Sequence, residues 1–128
     1  MDSDPRIVQI RRVCRRDQLP ESGKAVRFGI VRHGRELPAF VIAHGGEVHA
    51  YVNTCPHRGT SLDWQPGEVF DESGLYLICA THGALFEPDT GFCIAGPCQG
   101  ASLQKIPVTV EADHVMLKHD ILSNFIDT

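Results

Sequence analysis

The sequence predicts an all-β fold, a sandwich or barrel of many short strands. Three observations carry that expectation. Short segments rich in β-branched and aromatic residues recur along the 128 residues, and signals containing Gly, Pro, Asn or Asp separate them. No long stretch shows the 3.6-residue apolar period of a helix. The length is near the most common size for one domain, enough to bury a core without staples, so residues 1–128 are expected to form one domain.

Taken in order, residues 7–13 (Ile-Val-Gln-Ile-Arg-Arg-Val) read as a first strand, because β-branched residues dominate. Residues 17–23, with Pro20 and Gly23, break it as a turn or a single helical turn. A second strand follows over 25–31, where Val26, Phe28 and Ile30 alternate with Arg27 and Gly29 and give one apolar face. His33-Gly34-Arg35 turns the chain. Strands over 39–44 and 47–53 are joined by Gly45-Gly46, which supplies the positive φ of a tight hairpin. Residues 54–62 form a loop, and 63–67 show no periodicity. Strands are expected over 68–70 and 75–79 around the turn 71–74, then over 84–86 and 91–94 around the turn 88–91. A closing hairpin spans 105–111 and 114–119 around Ala112-Asp113. The tail, 121–128, is more apolar than a free terminus and is expected to dock on the domain or on a second subunit.

Charge and composition narrow the function classes. A formal charge of −4 argues against nucleic acid and anionic membrane surfaces, which call for a basic face. The acidic, polar start Met1-Asp2-Ser3-Asp4-Pro5 is unlike a secretory signal, and no apolar run approaches the ~20 residues of a bilayer span. Five cysteines, an odd number, fit a reducing compartment better than a disulfide framework. The expectation is a soluble, cytoplasmic protein.

The chemistry is concentrated in two runs, Cys55-Pro56-His57-Arg58-Gly59 and Cys79-Ala80-Thr81-His82-Gly83. Each brings one thiolate and one imidazole, so two sulfur and two nitrogen ligands converge on one centre. A structural zinc also takes Cys2His2, but its cysteines usually share one short segment and its histidines another. Here each run mixes the types, as C-x-H and C-x-x-H. That order is explained if both cysteines hold one iron of a two-iron cluster and both histidines the other, each run clamping across both metals.

From these residues on, the chain resembles the Rieske ferredoxin-like family. The resemblance continues in Leu85-Phe86-Glu87-Pro88-Asp89-Thr90-Gly91, which matches the family's F-x-x-x-T-G strand and turn, and in Gly96-Pro97-Cys98, which matches its cluster-covering loop. It implies stacked antiparallel sheets with an inserted cluster-binding subdomain at about 54–100. It also implies one [2Fe-2S] cluster per chain, with Cys55 and Cys79 on the buried iron and His57 and His82 on the outer one. The function implied is one-electron carriage between redox protein partners, a reductase and an oxygenase, with the small subunit of a nitrite-reductase-like complex as the alternative. A complete oxygenase subunit fails on length. High-potential members tie the two loops with a disulfide at the positions of Thr60 and Thr81. They also present Ser and Tyr hydroxyls where this chain has Ala84 and Phe86, so a potential near the low end of the family range is expected.

The remaining candidates have plainer readings. Cys14, Cys93 and Cys98 are expected as packed thiols, with a Cys93/Cys98 redox pair as the alternative. His33, His44, His49, His114 and His119 lack ligand spacing and are read as surface or packing residues. Arg58 and Trp64 flank the first run and could serve docking or act as a lid.

Overall fold

A computed structural model describes residues 8–56, 59–63, 65–81, 83–98 and 100–120. Among these residues ten strands form three antiparallel sheets. Strands β1 (Val8–Arg15), β9 (Val108–Glu111) and β10 (His114–Asp120) make the first sheet, in the order β1-β10-β9. The second runs β2 (Val26–Arg32), β3 (Arg35–His44), β4 (Glu47–Val52) and β8 (Lys105–Ile106). The third is small: β5 (Leu77–Ile78), β6 (Leu85–Phe86) and β7 (Cys93–Ala95). A 3-10 turn, Arg16–Gln18, follows β1, as the breaker at 17–23 leads one to expect.

The second sheet is the shared wall of two cores. Successive side chains of a strand point to opposite faces, and β3 is buried from Ala39 to Ala43. Ala39, Val41 and Ala43 pack with Cys14, Val115 and Leu117 of the first sheet. Phe40 and Ile42 face the other way, into a cluster with Tyr51, Leu62, Leu77, Phe86, Cys55 and Cys79. Both faces are therefore apolar, and β3 reads as a continuous hydrophobic run where a half-exposed strand would alternate.

Turn chemistry fixes the register. Gly45 and Gly46 have φ of +64° and +79°, the positive values that their hairpin requires, and the Glu21 carboxylate accepts from both their N–H groups. His33-Gly34 and Ala112-Asp113 make two further turns with positive φ at both residues.

Several predicted boundaries move, three of them for a visible reason. Strand β3 begins at Arg35, four residues before the expected start, because Pro38 is tolerated where it sits. Its carbonyl accepts from Asn53 N–H at 2.8 Å, so its missing donor faces the side on which β4 has already ended. The expected strand over 68–70 reduces to one bridge, Phe70 to Leu77, with β5 beginning only at Leu77. It cannot extend backwards, since Gly67 is turned at φ +85° and its carbonyl accepts from Ala25 N–H. The expected strand over 105–111 divides at Pro107. Lys105–Ile106 pairs with β4, whereas Val108–Glu111 pairs with β10, so the chain changes sheets at the proline. In the third sheet β7 starts at Cys93, two residues after the expected start. The apolar tail, 121–128, lies outside the described residues.

Candidate metal centre

Both candidate loops hang from the ends of strands and close on themselves in the same way. In the first, Cys55 N–H donates to the Thr60 carbonyl at 2.7 Å, and Gly59 N–H donates back to the Cys55 carbonyl at 2.7 Å. In the second, Cys79 N–H donates to Ala84 at 2.9 Å, and Gly83 N–H to Cys79 at 2.8 Å. Gly59 and Gly83 have φ of +74° and +73°, a left-handed turn that lets each loop double back onto its cysteine. The C-x-x-x-G spacing shared by the two runs was the sequence signal for this twin geometry. The histidine spacing differs between the two runs, whereas the glycine spacing is the same.

The loops lie side by side. Ala80 N–H donates to the Leu62 carbonyl at 2.9 Å, and the Thr60 and Thr81 hydroxyls meet at 3.4 Å, a hydrogen bond at the positions where the resemblance implies a disulfide in high-potential members. Cys55 and Cys79 are buried among the apolar residues of the core, and none of the five cysteines is in a disulfide. Ala84 and Phe86 are also fully buried in that core. His57 and His82 lie outside the described residues, as do Arg58 and Trp64. Among the described residues no group of three or more His, Cys, Asp or Glu is placed to hold a metal ion.

A polar clamp that the motifs gave no sign of positions the first loop. Asn53 is buried directly after β4; its Oδ1 accepts from Leu62 N–H at 2.9 Å, and its Nδ2 donates to Asp63 Oδ1 at 3.0 Å. Asp63 Oδ2 accepts from Gly67 N–H at 3.0 Å and lies 3.5 Å from Arg27 Nε. Burial pushes the Asp63 carboxyl up, but the hydrogen bonds from Asn53 and Gly67 and the Arg27 charge outweigh it and hold the group below its usual range. Residues just before and just after a ligand loop are thus joined to each other. Paired Asn and Asp at the margins of the loop were its only trace in the sequence.

The Gly-Pro loop packs against the second ligand loop. Gly96 has φ +100°, and a Cβ there would fall 2.7 Å from Ala84 Cα, so only glycine allows this approach. The loop carries Cys98, whose Sγ is 3.1 Å from Cys93 Sγ. Burial, with the neighbouring thiols of Cys93 and Cys55, pushes the Cys98 thiol up to about 12, so it stays protonated. Tyr51 holds the F-x-x-x-T-G turn from below: its hydroxyl donates to the Pro88 carbonyl at 2.7 Å, and its ring would meet any Cβ on Gly91. Cys14 is a packed thiol of the other core.

The other histidines have structural surroundings. His33 is exposed in the β2–β3 turn, His44 meets the Ser22 hydroxyl at 2.8 Å and stacks on Phe70, and His114 contacts its own turn at the Ala112 carbonyl. His49 is buried; its Nε2 has no hydrogen-bond partner among the described residues, and Glu47 lies 3.9 Å away. The His119 side chain lies outside the described residues.

The fold is similar to those of several solved proteins. A ferredoxin of Sphingomonas yanoikuyae B1 superposes with a TM-score of 0.67 at 24% identity, over 87% of this chain and 99% of that one. The ferredoxin of carbazole 1,9a-dioxygenase from Nocardioides aromaticivorans IC177 gives 0.64 at 26%, over 85% and 96%. A chain of the complex of reduced oxygenase and oxidized ferredoxin in carbazole 1,9a-dioxygenase gives 0.65 at 25%, over 88% and 94%. No curated protein matches. The family model described as the Rieske [2Fe-2S] domain matches residues 9–112. With that match spanning both ligand runs, the F-x-x-x-T-G turn and the Gly-Pro loop, the chain belongs to the Rieske [2Fe-2S] domain family.

Proposed function

We propose that this chain is a one-electron carrier that passes electrons from a reductase to an oxygenase. Cys55 and Cys79 hold one iron of its [2Fe-2S] cluster as thiolates, and His57 and His82 hold the other as neutral imidazoles. The observation that carries the reading is the pair of identically closed loops, each delivering one buried cysteine to the same core. The residues present fit the group, because the two thiols lie outside any disulfide, are shielded from water and are held on closed turns. When bound, the cluster takes up and releases one electron at a time.

The chain's own residues do the rest. The Asn53–Asp63 clamp and the Gly96 contact hold the loops still, so little reorganisation accompanies electron exchange. Phe86, Leu62 and Leu77 keep water from the thiolate side. Ala84 and Phe86 offer no hydroxyl, which favours a potential low in the family range. The ferredoxin of carbazole 1,9a-dioxygenase, which aligns along nearly its whole length, supports the choice of carrier, and the complex of oxygenase and ferredoxin in carbazole 1,9a-dioxygenase supports the choice of partner. Among the described residues no helix is long and apolar enough to cross a membrane. Five cysteines with no disulfide among them favour the cytoplasm.

The test is the as-purified protein. It should be red-brown, with two irons and two acid-labile sulfides per chain and a rhombic EPR signal on reduction. A colourless protein with one zinc per chain would overturn the reading.

A further inference from the structure

The chain as a whole carries −4, so attraction by net charge alone would select a basic partner. The surface beside the first ligand loop has the opposite sign. A groove of about 400 Å³ opens between the β2–β3 turn and that loop. One wall carries Arg32, His33 and Arg35; Thr54 and Pro56, which flank Cys55 in sequence, form the other. Among the described residues no carboxylate lines it.

The arrangement follows from the local fold. Arg32 and Arg35 are register partners that close the turn, and His33 and Gly34 between them have φ of +56° and +72°. The two guanidinium groups are therefore carried on a tight, defined hairpin. Strand alternation sends Arg35 and Leu37 to the groove face and Glu36, between them, to the other, so the nearest acid in sequence does not neutralise the site. Arg32 Nη1 donates to the neutral Gln104 Oε1 at 3.3 Å, which fastens the side chain without cancelling its charge. Among the described residues neither arginine has a carboxylate partner.

We infer that this groove receives an acidic segment of the protein with which the chain exchanges electrons. The inference rests on the electron-carrier reading and adds to it where the partner docks and what charge it presents. An anionic segment lying along Arg32 and Arg35 sits against Thr54 and Pro56, one residue from Cys55 on either side. Docking there brings the partner to the loop that holds the metal, while the negative remainder of the surface turns wrongly oriented approaches away. Net charge and local charge thus make opposite statements, and kinetics can tell which one governs.

The experiment uses the reduced, cluster-loaded protein and hexacyanoferrate(III), a small anionic one-electron oxidant. One electron leaves the protein and gives hexacyanoferrate(II), with no bond or proton exchanged. If the groove guides the encounter, the second-order rate falls on the order of tenfold as the Debye length contracts from about 30 Å to about 8 Å with added salt. An oligoglutamate peptide slows the reaction at low salt, and an oligolysine peptide does not. In Arg32→Gln/Arg35→Gln the rate rises with salt instead, and the peptide effect is lost. Unchanged EPR and midpoint potential in that variant show the centre to be intact. A wild-type rate that rises with salt, or a salt slope that the double variant leaves unmoved, overturns the docking site and leaves the carrier standing. A reduced protein that gives no electron to hexacyanoferrate or to a cationic cobalt(III) complex overturns both.

Discussion

Replacing Asn53 by Ala tests whether the polar clamp holds the first ligand loop closed. The side chain is 1% exposed and makes two hydrogen bonds, so the substitution removes both at once. Leu62 N–H, in a fully buried residue, loses its acceptor. An orphaned buried donor costs about 1–3 kcal/mol. Asp63 loses one donor but keeps Gly67 N–H and Arg27, so the low end of the range for charged hydrogen bonds applies, about 1.5 kcal/mol. Together these give about 3 kcal/mol, spent on local opening of residues 53–63 because both bonds lie within that segment. At 1.4 kcal/mol per factor of ten, the open population rises about a hundredfold. The assay is anaerobic bleaching of the visible absorbance by an iron chelator, in native buffer, where the rate follows the open population when reclosing is fast. Ser73→Ala is the control. It removes two hydrogen bonds, to Asp71 and from Leu75, in an exposed turn outside residues 53–63. An acceleration below roughly fivefold, or one matched by Ser73→Ala, would refute the assignment of the clamp to the loop.

Two further outcomes follow from buried groups. Ala84→Ser or Phe86→Tyr places a hydroxyl in the core that holds Cys55 and Cys79. A donor that binds the reduced centre more strongly by about 1.4 kcal/mol raises a one-electron potential by about 59 mV. Redox titration checks the sign, and a fall in both variants would contradict the tuning argument. For His49, burial lowers the imidazole pKa and Lys105 adds to the effect, against the opposing pull of Glu47. The folded value lies below the unfolded one, so the stability is complete above about pH 6.5 and declines as pH falls from there toward the folded value. Denaturation midpoints across that window should lose this slope in His49→Gln, and an unchanged slope would assign it to another group.

Much of this was legible in the sequence where local chemistry decides. Gly45-Gly46, the alternation of Val26, Phe28 and Ile30, and the breaker at Pro20 each dictate their own backbone, and the strands and turns stand there. Boundaries moved where a distant neighbour decides. Pro38 is accepted in β3 only because β4 ends opposite it, and Pro107 divides a strand only because two different sheets offer partners on its two sides. The site divides along the same line. Cys55 and Cys79 announced themselves by residue type, whereas Asn53 and Asp63 matter through a contact ten residues apart, and Gly96 matters through its approach to Ala84.

The pairing of β4 with β8 has a consequence for assembly. Val52 N–H donates to the Gln104 carbonyl, so residues 53–103, including both ligand loops, are one excursion from a single strand pair. The β2–β3–β4 meander, by contrast, is closed by two-residue turns. Joining β8 to β4 costs the entropy of closing the whole excursion, and the neighbouring meander costs far less. During biosynthesis, then, the meander presents a finished edge while the segment bearing the cysteines is still open, and iron and sulfide can reach it before the Gly96-Pro97 loop comes down on Ala84. Pulsed hydrogen exchange on the refolding, metal-free chain should find amides of Ala39–Ala43 protected ahead of those at Cys55 and Cys79. Simultaneous protection would mean that the centre is filled only after the protein has closed around it.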